Sequence, residues 1–178
     1  MNPLVRLTRT LEESTALDRP VRAIRPLASG LATGKRGRLL RGEWLGHALH
    51  PLLTDAVIGT WTSATLLDLI GGRDDQDAAR RLVGIGLLAG VPTALTGWAE
   101  WTAADDRNQR VGLVHALSNG IAGSAYGASY LARRRGQHAT GVKLALLGFS
   151  VAGLGGYLGG HLASARKVGT RHEEFARS

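Results

Sequence analysis

The 178-residue chain has no cysteine, one methionine, two phenylalanines and five prolines. Without cysteine it can hold no disulfide, thiolate zinc site, cysteine-ligated iron–sulfur cluster or thioether-attached haem. The first 46 residues lack any long apolar run, because charge interrupts MNPLVRLTRTLEESTALDRP every few positions. A cleaved secretory signal is therefore not expected. Acidic residues are the minority, 14 against 22 Lys and Arg, for a formal net charge of +8.

A chain of this length is normally one domain. Its mean hydropathy, close to zero, conceals a division. Residues 1–46 form a basic arm and 166–178 a polar tail, while the region from 47 to 165 is rich in Leu, Ala, Gly and Val. Glycine is over-represented, at 25 residues. Inside a water-soluble helix each costs about 1 kcal/mol relative to alanine, whereas membrane helices use small residues for close backbone approach. Gly86 and Gly90, Gly123 and Gly127, Gly155 and Gly159, and Gly156 and Gly160 all have that four-residue spacing. GLGGYLGG lacks the preceding strand of a dinucleotide-binding loop and reads as helix packing.

Four stretches approach the roughly 20 apolar residues that cross a bilayer, at about 51–70, 82–102, 111–132 and 142–165. Short polar linkers join them, as in an antiparallel bundle. The expected fold is an all-α, integral membrane four-helix bundle with an amphipathic amino-terminal arm. A soluble bundle would need a polar stripe on each helix, and the third and fourth stretches offer almost none.

Charge sets the expected orientation. Of the 22 Lys and Arg, nine precede His47, two lie in the 103–110 loop and four in the tail, against seven at the opposite ends of the spans. Positive flanks stay cytoplasmic, so the expectation is a multi-pass inner-membrane protein with both termini in the cytoplasm. Trp44, Trp98 and Trp101 fall at the same boundary, where an aromatic belt sits. Leu4, Leu7, Leu11, Leu17, Val21, Ile24, Leu27 and Leu31 give the arm a helical apolar spacing. With its arginines, the arm suits helices lying on an anionic leaflet. It has no stacking aromatics, so a nucleic-acid partner is not expected. The charged turn of Asp68, Arg73, Asp74, Asp75 and Asp77 reads as a solvated flank without a histidine nearby.

The histidines mark the candidate site. His50 precedes Pro51, which disfavours helix at His50 and suits the first helical turn itself; His47 lies just outside. At about 1.5 Å per residue, His115 lies one turn into the third span and His161 one turn from the end of the fourth. Glu100 sits near the same boundary, and Asp55 and Asn119 project from neighbouring turns. Ionisable groups within a membrane are costly and point to function. Three readings stand on these residues. His115 and His161 could ligate a b-type haem, with His47 and His50 at its propionates or at a second metal. A transition metal could recruit His47, His50, His115 and His161, with Glu100, Asp55 and Asn119 around them. The same groups could instead form a structural hydrogen-bond network, or a quinone or proton-handling site. No nucleophile–base pair suggests an enzyme.

The segments GEWLGHALHPLLTDAVIGTWTSATLLDLIGG, TALTGWAEW, VHALSNG and GGYLGGHLA resemble the bacterial membrane family known as domain of unknown function 2231, over about Leu11 to Val168. The resemblance implies a four-helix membrane fold and carries over His47, His50, His115 and His161 as motif positions. Ala48 stands where the family usually has proline. Members are often fused to Rieske-type ferredoxin domains, so the resemblance implies a redox neighbourhood and a Rieske-type or other redox protein as partner, beside the lipid bilayer. The glycine-rich helix faces would also admit a homo-oligomer.

Overall fold

Some prolines and glycines mark helix ends, while Pro26 and Pro92 lie inside helices. The computed structural model describes residues 2–176, and these are all-α, without a named strand. Pro3 opens α1 (Pro3–Glu13), whose first turn is capped by the Asn2 side chain accepting from the Leu4 amide at 2.9 Å. α2 (Asp18–Ala32) and α3 (Gly34–Arg41) complete the arm, and α3 stops at Gly42, which adopts the left-handed conformation that favours glycine. The long helices follow: α4 (Leu49–Ile70), α5 (Gln76–Ala103), α6 (Asp106–Arg134) and α7 (His138–Gly160). α7 runs on into a π-turn over His161–Ala165.

The chain divides into two compact units. The first comprises Met1–Pro51, Ala94–Ala116 and Gly156–Ser178; the second comprises Leu52–Thr93 and Leu117–Gly155. The first has its core where Val21 and Ala28 of α2 meet Trp101 and Leu113, with Ile24 and Trp98 alongside. Val21 and Ala28 of α2 are thus buried inside the protein, while Leu27 stays 75% exposed. For the two buried residues the expectation of an arm lying on lipid is corrected, because the two tryptophans supply an apolar surface of their own.

In the second unit, Trp61 stacks on Tyr126 with ring centroids 4.0 Å apart, among Val57, Ala64, Val83, Ala122 and Ala145. Glycine permits this contact at two places. A Cβ on Gly86 would strike the Trp61 indole, and one on Gly148 would come within 2.9 Å of the Tyr126 ring. The four-apart glycine pairs are therefore used unevenly. Gly86, Gly155 and Gly159 face close neighbours, whereas Gly90, Gly123, Gly127, Gly156 and Gly160 open onto space.

The exposure pattern of the second unit is inverted relative to a water-soluble domain. Large apolar side chains point outward, among them Leu88 at 76% and Val91 at 61%. Charge points inward. Asp68 and Arg133 form a bidentate pair at 2.8 and 2.5 Å, and each side chain is only 1% exposed. Arg133 Nε also donates to Ser129 Oγ, which in turn donates to the Gly141 carbonyl. His138 Nε2 lies 3.9 Å from Asp68 Oδ1. The solvated-flank reading of Asp68 is overturned: α6 continues to Arg134, which brings Arg133 inward to neutralise the carboxylate.

By length and composition, two helical stretches are apolar enough to cross a membrane, Arg73–Ala103 and His138–Ala165. α4 and α6 do not meet that measure, where four spans were expected. The reason is compositional: α4 carries Thr54, Asp55, Thr60, Thr62, Ser63, Thr65 and Asp68, and α6 begins with DRNQR.

Candidate functional site

The first unit assembles its polar groups from four long helices. His50, at the start of α4, and His115, on α6, meet edge to face, with ring centroids 6.2 Å apart and planes at 86°. Each imidazole also faces a glycine of a further helix. A Cβ on Gly97 of α5 would lie 2.8 Å from His50 Cε1, and one on Gly159 of α7 would lie 2.8 Å from His115 Cε1. Each ring fills the room that its glycine leaves. This layer is the centre of the candidate site.

Glu100 follows Gly97 by three residues, so it stands one turn further along the same face of α5. It is buried. Its Oε2 accepts from the Thr170 amide at 3.0 Å and from the Thr170 hydroxyl at 3.1 Å, while Oε1 is buried with no hydrogen-bond partner. Thr170 belongs to a strap from the tail: His47 and Arg171 form an isolated antiparallel bridge, and the His172 amide donates to the Gly46 carbonyl at 2.7 Å. His47 itself is exposed and contacts the neighbouring Ala48 carbonyl through Nδ1 at 3.3 Å.

His161 takes a partner that sequence reasoning missed. Its Nε2 lies 2.7 Å from Glu12 Oε1, and Arg166 grips the same carboxylate with Nε at 2.6 Å and with its second nitrogen. Arg110 donates to the Glu12 carbonyl and to Asp18, both at 2.7 Å. Glu12 is 3% exposed, and the Arg166 guanidinium holds its carboxyl below the usual carboxylate range, with His161 adding to the effect against the opposing cost of burial. The only advance signal was that acidic residues are few in the arm.

Asp55 and Asn119 fall in the second unit, both exposed. His138 lines a cavity there of about 310 Å³ with Asp68, Arg73 and Gln76. His172 is exposed, as expected. Among the described residues, no three His, Asp or Glu side chains are grouped so as to hold a metal ion.

A family model described as predicted membrane protein (DUF2231) matches residues 46–172. The chain belongs to this family. The match opens at Gly46, not at about Leu11 as the motif resemblance implies, and so includes all four motif histidines and the strap, but not α1–α3. Glu12 thus reaches into the DUF2231 domain from outside it. No curated protein and no solved structure matches the chain.

Proposed function

We propose that this DUF2231 protein crosses the inner membrane with α4 to α7, both termini cytoplasmic, and that the His50–His115 layer handles protons for a redox partner. Outward-facing apolar residues on the two less apolar helices support the crossing: Leu52, Ile58 and Leu66 of α4, and Leu117, Ile121 and Leu131 of α6, are each at least half exposed. A helix facing water would turn such residues inward.

The edge-to-face contact of His50 with His115 carries the site reading. An imidazole near neutral pH gives and takes a proton readily, and two in contact titrate as a coupled pair. This pairing suits a carrier that exchanges protons along with electrons, such as a quinone. The haem reading needs His161 as the axial partner of His115, but the His161 Nε2 is taken up by Glu12 at 2.7 Å. A metal site would need a third converging donor. The family's Rieske-fused members support a redox neighbour of that kind. His161 favours a second, structural role, because its Nε2 is engaged by Glu12.

Two measurements test this reading. A reporter active only outside the cytoplasm should be silent after Ser178 and active within 72–80 or 134–140; equal activity at all three positions removes the four crossings. Nitrogen NMR of histidine-labelled protein should show that His115→Gln displaces the titration of His50 while leaving His138 and His172 in place. An unmoved His50 ends the proton-handling reading, and a Soret band in purified protein replaces it with haem.

A further inference from the structure

α1 has three distinct sides. Thr8 and Glu12, one turn apart, are buried against the protein at 2% and 3% exposure. Leu4 and Leu7, three residues apart on the adjoining stripe, remain 49% and 36% exposed. Arg6 and Arg9 take the remaining side, and both are exposed.

Rotation cannot hide the leucines. Glu12 is locked by His161 and Arg166 through its carboxylate and by Arg110 through its carbonyl. On α2, Val21 and Ala28 are already packed on Trp101 and Leu113, although Leu27 remains open. α1 therefore holds its leucine stripe outward, fixed by a buried ionic clamp, with arginine on the far side. That is the arrangement of a helix lying in a membrane interface.

We propose that α1 is an interfacial anchor, seating Leu4 and Leu7 at the acyl boundary of an anionic leaflet, with Arg6 and Arg9 on its polar face adding to the long-range attraction of the arm to that charge. Charge complementarity selects the occupant. Nine Lys and Arg precede His47 against four Asp and Glu. A second copy of the chain would bring the same positive excess and be repelled, whereas an anionic surface attracts it.

The chain has no cysteine, so Leu7→Cys can carry an environment-sensitive fluorophore as the sole label. Leu88→Cys, on the outward face of α5, serves as the comparison. Both full-length proteins are reconstituted in nanodiscs of phosphatidylcholine alone or mixed with phosphatidylglycerol. The Leu7 label should shift to the blue and lose most of its iodide quenching in the anionic discs, far less in the neutral ones. Salt should weaken the effect, and Arg6→Gln with Arg9→Gln should reduce the dependence on lipid charge. A Leu7 label that stays open to iodide in anionic discs overturns the anchor. So does equal shielding in detergent and in both lipids, which would mark a protein contact. The Leu88 label reports separately on the crossing: if it is open to iodide in every disc, the proposed spans fall, while the comparison between lipids at Leu7 still decides the anchor.

Discussion

Glu12 and His161 are 149 residues apart in sequence and 2.7 Å apart in space. Their contact joins the amino-terminal arm to the last long helix, and Arg166 closes it from the other side. Because the folded carboxyl sits below the usual range, the unfolded chain binds the proton more tightly. The stability this contributes is present above the unfolded pKa and is lost as pH falls through the folded one. In detergent, the thermal midpoint of the native protein should hold steady near neutrality and decline on acidification. Glu12→Gln should lower the midpoint at neutral pH, by about 1–3 kcal/mol of stability, and flatten the acid slope. An identical slope in the variant would mean that Glu12 does not contribute it.

The histidine layer should be sensitive to a single methyl. Gly97→Ala and Gly159→Ala each place a Cβ 2.8 Å from an imidazole carbon. The ring or the helix must shift, and such overpacking costs about 1–3 kcal/mol. Gly123→Ala, where nothing lies within 4 Å, should be neutral or slightly stabilising. Thermal midpoints of the three variants, measured side by side, check this. If all three behave alike, the glycines do not make room for the histidines.

Asp68 and Arg133 provide a third test. Removing one partner of a buried pair leaves an uncompensated charge and costs about 3–5 kcal/mol. Asp68→Ala should be severely destabilised. Replacing both residues together, Asp68→Leu with Arg133→Met, should recover much of the loss. A double-mutant cycle in detergent reads the coupling; additive losses would show that the two side chains act independently.

These relationships differ in how far the sequence disclosed them. Helical periodicity fixes depth, so His50, His115 and His161 read as sharing one boundary. His50 and His115 meet, whereas His161 turns to Glu12, and α4 starts at Leu49, ahead of the break that Pro51 suggests. Depth alone reads Trp98 and Trp101 as a boundary belt, whereas they meet edge to face at 5.3 Å and Trp101 is buried in the core. Ion pairs follow no period. Asp68 lies next to a run of charges and reads as wet, yet the two further residues that take α6 from 132 to Arg134 bring Arg133 against it. Glu12 lies on an arm whose pattern speaks only of amphipathicity. The partition of that arm, Val21 and Ala28 packing inward while Leu4, Leu7 and Leu27 stay outside, depends on the surface that Trp101 and Leu113 create, and no local pattern in residues 1–46 reports it.

The clamp on Glu12 also sets an order of events during synthesis. Glu12 leaves the ribosome well before His161 and Arg166, which follow 149 and 154 residues later. Throughout elongation α1 has no partner for its carboxylate, and each long helix must be placed before the latch can close. A chain stalled or cut short of His161 carries a loose, basic amino terminus and an unsatisfied acid. Closure of this one contact therefore reports that the chain has been made and folded through the end of α7.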